Sequence, residues 1–273
     1  MTSRIERLTN YGVLGLFSLL ALAPIVGLLL TALRPSNTLS VGFAFPHSLH
    51  FHNFVNAWHT GDFGTGLRSS AIITVTVVAI STVLSILAGY GLGTMRFRGD
   101  SIVFAAFLIG LVMPFEATII PLYFDLRRVH LTGGYWGVIL PSIALSVAFG
   151  TFWMRAFFLS TPRSLLEAAR IDGASSLRIL LSVLLPFARP AVLTMMVLTF
   201  MWTWNDFLLS LVMLSDPSVQ TAPLKLALFQ GRYVTDITGL AAGSMIVALP
   251  VILVYIFLQR HFIRGVLSGA VKG

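Results

Sequence analysis

Residues 70–94 read SAIITVTVVAISTVLSILAGYGLGT, a run with no acidic or basic side chain. A helix rises 1.5 Å per residue and the hydrocarbon core of a bilayer is about 30 Å thick, so about 20 mostly apolar residues cross it. This run is long enough to span. Five more qualify: 11–33, 101–124, 137–158, 188–214 and 239–260. Composition agrees, with 56% hydrophobic and only 10% charged residues, where a soluble domain carries roughly a quarter charged. So few charges cannot cover a water-facing surface of this size, and lipid must solvate the chain. The expected fold is all-α, a single transmembrane domain over 1–273 with six spanning helices.

Pro24, Gly89, Pro114, Pro141 and Pro250 fall inside these runs. Neighbouring helices re-satisfy the freed backbone groups, so such residues read as packing features rather than hinges. Gly89 and Gly93 form a small-xxx-small pair that permits close helix approach. The first run is too long for a signal-peptide core and lacks a convincing small-residue cleavage site, which makes it a retained anchor. The net charge of +8 does not point to nucleic acid, because the basic residues are scattered between apolar runs rather than clustered. With both termini cytoplasmic, the inner side carries twelve basic residues (Arg4, Arg7, Arg96, Arg98, Arg155, Arg163, Arg170, Arg178, Arg189, Arg260, Arg264 and Lys272). The outer side then carries six: Arg34, Arg68, Arg127, Arg128, Lys225 and Arg232. That asymmetry agrees with the positive-inside rule. Cysteine is absent, so disulfides and thiolate metal sites are excluded.

Two connections are long. The outer loop 34–69 is polar, aromatic and turn-rich, and is expected to fold on the outer face. The inner loop, about 159–187, contains STPRSLLEAARIDGASSLRILLSVLLP at 160–186. Thr161-Pro162 marks a helix start, with a capping oxygen and a proline at the first helical position. Leu165, Leu166, Ala169 and with them Ala168 make an apolar face, and Glu167 and Arg170 are spaced to pair across the surface. Asp172-Gly173 ends the helix, since glycine takes the required backbone angles. Ser175 or Ser176 then caps a second amphipathic segment, Leu177 to Leu185, which Pro186 stops. The segment is expected to lie parallel to the membrane. On these grounds alone it could simply rest against lipid headgroups.

This loop resembles the signature cytoplasmic loop of binding-protein-dependent ABC importer permeases, whose pattern is Glu-Ala-Ala, three residues, Gly, nine residues, Ile-x-Leu-Pro. Here stand Glu167-Ala168-Ala169, Gly173 and Val183-Leu184-Leu185-Pro186 at the same spacing, with valine in place of isoleucine. The resemblance implies a six-helix importer permease bundle whose coupling helix docks into a cleft of a separate ATPase. It places that role on Glu167, Ala168, Ala169 and Gly173, with Arg170 and Asp172 flanking. Trp204-Asn205-Asp206-Phe207, Leu214-Ser215-Asp216-Pro217, Phe229-Gln230-Gly231 and the ending Gly265-Val266-Leu267-Ser268-Gly269-Ala270-Val271-Lys272-Gly273 are similar to maltose-type carbohydrate-uptake permeases of the short, second-permease type. Implied partners are a homologous second permease, two ATPase copies, an extracytoplasmic solute-binding protein and a sugar or glycerol-phosphate-like solute, in a cell inner membrane.

The chain has two lysines, Lys225 and Lys272, and neither comes after a glycine. A Gly-x-x-x-x-Gly-Lys-[Ser/Thr] phosphate loop is therefore missing, and ATP and Mg are expected on the partner ATPase, with no cofactor here and a non-catalytic role. A charge at the depth of Asp206 costs roughly 2.5–3.5 kcal/mol on insertion scales. Asn205 and Asp206 are either outer-gate residues accepting sugar hydroxyls or a structural pair, with the pair preferred; Glu116 poses the same choice. In the outer segment 215–238, Gln230, Arg232 and Tyr233 are candidates for docking the binding protein. His47, His50 and His52 read as solvated loop histidines rather than metal ligands. The rival class, a self-sufficient transporter driven by an ion gradient, needs intramembrane relays and internal repeats; isolated acids are all that stand here. Neither a His-Glu-x-x-His nor a Gly-x-Ser-x-Gly motif supports a lipid-phase enzyme.

Overall fold

A computed structural model describes residues 4–36, 45, 46, 48–231 and 235–270, without the side chains of Ile5 and of 260–270. Five helices are long and apolar enough to cross a membrane, and a bent pair makes up to six if its two halves count as one span. In chain order the helices are α1 (Arg4–Ala32), α2 (His52–Thr60), α3 (Phe63–Thr94), α4 (Asp100–Val112), α5 (Phe115–Arg128), α6 (Trp136–Leu159) and α7 (Arg163–Ile171). Next come α8 (Ser176–Trp204), α9 (Leu208–Met213) and α10 (Ile237–Ala270).

Two expectations about the spans are corrected. The run 101–124 is not one helix: α4 and α5 meet at a 99° bend. Met113 is extended (ψ 128°) and Pro114 likewise (ψ 103°), because the proline ring disfavours helical angles in the residue before it and supplies no N–H. Pro24, Pro141 and Pro250, by contrast, ride inside continuous helices. The fifth span is shifted toward the N-terminus, running from Ser176 to Trp204 rather than 188–214. Pro186 does not stop it. A π-helical stretch, Ile179–Leu184, lies just ahead of the proline, and a widened turn of this kind relieves the clash between a proline ring and the preceding carbonyls.

The chain divides into two compact units, Met1–Gly64 with Lys225–Pro250 and Thr65–Leu224 with Val251–Gly273. In the first, α1 exposes its apolar residues along most of its length, with burial at Gly27 and at Thr31–Arg34. Asn53 of α2 secures that end, its Nδ2 donating to the carbonyls of Ala32 (2.9 Å) and Arg34 (2.7 Å). Those carbonyls lie where a helix C-terminus leaves its acceptors without intrahelical partners. Phe63 stacks on Phe229 with centroids 6.1 Å apart. Gly243 of α10 lies against Phe63, where a Cβ would fall 2.8 Å from the ring. Lys225, only 4% exposed, reaches the more open Asp62 at 3.3 Å.

The second unit is held by two apolar clusters. One joins Ile73 and Val77 of α3, Val138 and Ile139 of α6, and Leu209 and Met213 of α9, with α5 packed on it through Leu122 and Leu126. The other joins Tyr90 of α3, Met154 and Phe158 of α6, and Ile179, Leu180, Leu184 and Ala188 of α8. Glycines let α3 and α6 approach here: a Cβ on Gly89 would meet Met154 Cβ at 2.6 Å, and one on Gly93 would meet Phe158 Cβ at 3.1 Å. Both members of the predicted small-residue pair thus face α6. Van der Waals contact between close backbones is what associates helices in lipid, where no hydrophobic gain is available.

Candidate functional site

The predicted loop helix is α7, nine residues long. Its start differs in detail from expectation. Pro162 occupies the capping position with Arg163 the first helical residue, while Thr161 is buried and turns its Oγ back to donate to the Phe157 carbonyl of α6 at 3.3 Å. The helix ends as predicted. Gly173 has φ +75°, its N–H donates to the Arg170 carbonyl and the Ala174 N–H to the Ala169 carbonyl, both at 3.0 Å. This paired closure, with a left-handed glycine between its two donors, is a Schellman motif.

Ser175 is the residue that starts the next helix. Its Oγ accepts from the Arg178 N–H at 3.4 Å. The expectation of a second surface helix is corrected: Leu177 to Leu185 instead forms the opening turns of α8, with Ile179, Leu180 and Leu184 fully buried. The loop proper is therefore α7 and its two short flanks, with α8 rising directly from Ser176.

Helix α7 turns Leu166 and Ala169, and beyond them Ala174, onto the cluster of Tyr90, Met154, Phe158 and Ile179. Leu165 and Ala168, expected on that apolar face, are exposed instead, because the cluster meets only one narrow strip of so short a helix. Glu167, Arg170, Asp172 and Gly173 are exposed as well. Glu167 and Arg170 form no ion pair with each other; the pairs found among the described residues are Arg128–Asp125 and Lys225–Asp62. Sequence reasoning passed over Ile171, which ends α7 at 86% exposure, although a large apolar residue off the buried strip was a readable signal. The Tyr90 hydroxyl donates to the Ser176 carbonyl at 3.0 Å, fastening α3 to the first turn of α8.

The candidate pathway residues are not brought together. Asn205 and Asp206 lie beyond the end of α8, not within a span; Asn205 caps that end, its Nδ2 donating to the Met201 carbonyl at 2.8 Å. Asp206 Oδ2 accepts from both the N–H and the hydroxyl of Ser210, each at 3.0 Å. Its partner is thus the first turn of α9, and a carboxylate there satisfies a helix N-terminus. Glu116 is exposed in the first turn of α5.

In the segment 215–238, Asp216 accepts from the Ser218 N–H at 2.8 Å, a bond that holds its carboxyl below its ordinary pKa. Gln230 bridges to Thr235, and Asp236 Oδ1 accepts from the Gly239 N–H at 2.8 Å to start α10. Arg232 and Tyr233 lie outside the described residues, as does His47. His50 lies 2.8 Å from the Ser48 hydroxyl, and His52 opens α2.

Comparison with known proteins bears on this arrangement. Residues 82–268, which include all of α7 and its bend, match the model of the family described as binding-protein-dependent transport system inner membrane component. The chain is 33% identical over 257 residues to the probable ABC transporter permease protein YurM of Bacillus subtilis, covering 93% of this chain and 85% of that one. It is 34% identical to the arabinooligosaccharides transport system permease protein AraQ of Halalkalibacterium halodurans, covering 93% and 92%. Among solved structures it is similar to a chain of a bacterial ABC transporter involved in the import of the acidic polysaccharide alginate, with a TM-score of 0.79 and 26% identity over 96% of this chain and 99% of that chain. The chain belongs to the family of inner membrane components of binding-protein-dependent transport systems.

Proposed function

We propose that the chain is one of two permease subunits of an ATP-driven importer, taking a sugar or sugar-like solute from an extracytoplasmic binding protein and releasing it into the cytoplasm by alternating access. The observation that carries this reading is α7: a helix whose apolar strip is anchored in the bundle while Glu167, Ala168, Arg170 and Asp172 stay exposed, ended by a left-handed Gly173. The carbohydrate class is supported by relatives named for arabinooligosaccharides and alginate import.

In this reading ATP and Mg are bound by a separate ATPase, two copies per transporter, and this chain makes and breaks no covalent bonds. The outward face of α7 seats in a groove of the ATPase, with Ala168 permitting close approach. A displacement of α7 acts through Leu166 and Ala169 on the cluster shared by α3, α6 and α8. The Tyr90–Ser176 hydrogen bond passes it to the start of α8. Packed interfaces shift between discrete arrangements rather than deforming continuously, so small movements at α7 become helix tilts. Both termini and α7 are cytoplasmic. The segment 215–238, with Gln230, Arg232 and Tyr233, meets the binding protein on the other side.

The test is uptake by the complete transporter in proteoliposomes with the binding protein present. Glu167→Ala is expected to abolish uptake or uncouple it from ATP hydrolysis, and a glycine-serine replacement of 230–234 to abolish uptake with the complex still assembled. Unchanged uptake in the first would remove α7 from the coupling role. A tag at residue 174 reached only from outside the cell would reverse the proposed orientation.

A further inference from the structure

We infer that the α7 end of the second unit carries a binding site for the phosphate headgroup of an anionic phospholipid. A cavity of about 650 Å³ lies there, walled by the last turns of α3 and α6, Met95 and Arg96 of the following connection, Asp100 at the start of α4, and Arg163, Leu166, Glu167 and Arg170 of α7. Arg96, Arg155, Arg163 and Arg170 line it, against two acids, Asp100 and Glu167. Asp100 is already engaged, its Oδ1 accepting from the N–H (2.6 Å) and hydroxyl (3.1 Å) of Ser101.

Arg155 shows what the cavity is built for. It lies near the end of the apolar helix Trp136–Leu159, where an arginine side chain reaches the level of the lipid headgroups. The protein fixes its guanidinium from one side only. Nε donates to the Leu92 carbonyl at 3.2 Å, and the group sits 3.9 Å from the centroid of the Phe104 ring, itself stacked on Phe152. Neither Nη has a partner among the described residues. The side chains of Arg96, Arg163 and Arg170 likewise have none there. A planar fork held by its Nε, with both terminal amino groups open, suits bidentate contact with a phosphate.

Lipid is favoured as the source of that phosphate by what surrounds the cavity. The connection entering α4 alternates exposed Met95 and Phe97 with exposed Arg96 and Arg98, a pattern that places apolar side chains at the acyl boundary and cations at the headgroups. Helix α4 has no buried residue. Two positions beyond Asp100, its Ile102, Val103, Ala106 and Phe107 line a shallow apolar groove of about 390 Å³, suited to an acyl chain. The charged cavity touches α4 at Asp100 and the apolar groove begins two residues further on, at Ile102. The inference needs α3 and α6 to be membrane spans and does not depend on the solute carried.

The full chain in nonionic detergent micelles is titrated with phosphatidylglycerol, phosphatidylcholine or inorganic phosphate, with retention read by native mass spectrometry and stabilisation by thermal unfolding. Phosphatidylglycerol is expected to bind more tightly than phosphatidylcholine. The exposed pair Arg96→Gln and Arg163→Gln, which leaves the packed core untouched, should weaken it by about thirtyfold, since each basic residue near an anionic surface contributes about a factor of five. Arg155→Lys keeps the charge, loses the fork, and should weaken binding in the same direction. Equal retention of the two lipids would overturn the inference, as would displacement of phosphatidylglycerol by equimolar inorganic phosphate, which would mark a free-anion site. If the double variant retains phosphatidylglycerol but no longer co-purifies with an ATPase from native membranes, the arginines serve a protein contact and the lipid site is refuted.

Discussion

Replacing Gly173 by alanine isolates the role of one backbone conformation. At φ +75° an L-residue bears a penalty of roughly 1–2 kcal/mol. A Cβ added there would meet nothing within 4 Å, so no packing term adds to it. The whole effect is therefore conformational and falls on the two bonds that close the helix, Gly173 N–H to Arg170 and Ala174 N–H to Ala169. At 1.4 kcal/mol per tenfold, the bent state should lose a factor of about 5–30 in its equilibrium against opened forms. Hydrogen exchange of peptides covering 168–176 in the nanodisc-reconstituted transporter reads that equilibrium directly. Exchange at Ala174 should accelerate by that factor in Gly173→Ala and by less in Gly173→Asn, because asparagine enters the left-handed region more readily. Uptake per ATP hydrolysed should fall in the same order. Unaltered exchange in Gly173→Ala, or asparagine performing no better than alanine, would refute the reasoning whatever the transport result.

Asn53→Leu should lower stability by about 2 kcal/mol, by leaving the Ala32 and Arg34 carbonyls without their donor; Asn53→Asp should do worse in thermal unfolding, since a carboxylate would face both oxygens. Asp206→Asn keeps an acceptor for Ser210 and should preserve both stability and uptake, whereas Asp206→Ala should lose about 1 kcal/mol of cap energy. Loss of uptake in a fully stable Asp206→Asn would instead place that carboxylate on the solute. Gly89→Ala would set a Cβ 2.6 Å from Met154 Cβ and 2.9 Å from the Arg155 backbone nitrogen, which should destabilise the α3–α6 contact by about 1–3 kcal/mol. Gly91→Ala meets nothing within 4 Å and should leave the melting temperature no lower.

Legibility from the residues alone divides along a physical line. Span existence was legible, because 18 or more apolar residues have few alternatives to crossing lipid. The Gly173 turn was legible too, since a local backbone requirement selects a residue type. Which face of α7 is buried was only partly so: Leu166 and Ala169 were right, while Leu165 and Ala168 depend on where Tyr90 and Met154 happen to present a surface. Arg155 drew attention only as one basic residue among twelve on one side. Its stacking on Phe104 and bond to Leu92 join α6 to two other helices, and no spacing rule reports contacts across that many residues.

The prolines divide in the same way, and more sharply. Pro114 and Pro186 each sit in an apolar run, and reasoning from proline chemistry treated the first as tolerable and the second as a stop. The outcomes are reversed. At 114 two successive residues are extended and α5 departs at 99°; at 186 the chain stays helical because Ile179–Leu184 has already widened its turn. The missing N–H and the ring clash are the same at both sites, so the difference lies in what tertiary packing returns. The π-helical stretch places Ile179, Leu180 and Leu184 all in the cluster with Tyr90 and Phe158, which offsets a poorer hydrogen-bond ladder. No residue of α4 is buried, while α5 gains Phe115, Leu122 and Leu126 against the other cluster. Straightening the chain at 114 would carry those α5 side chains away from their contacts with nothing gained on α4. A proline's consequence in a membrane bundle is thus decided by the helices it would have to abandon.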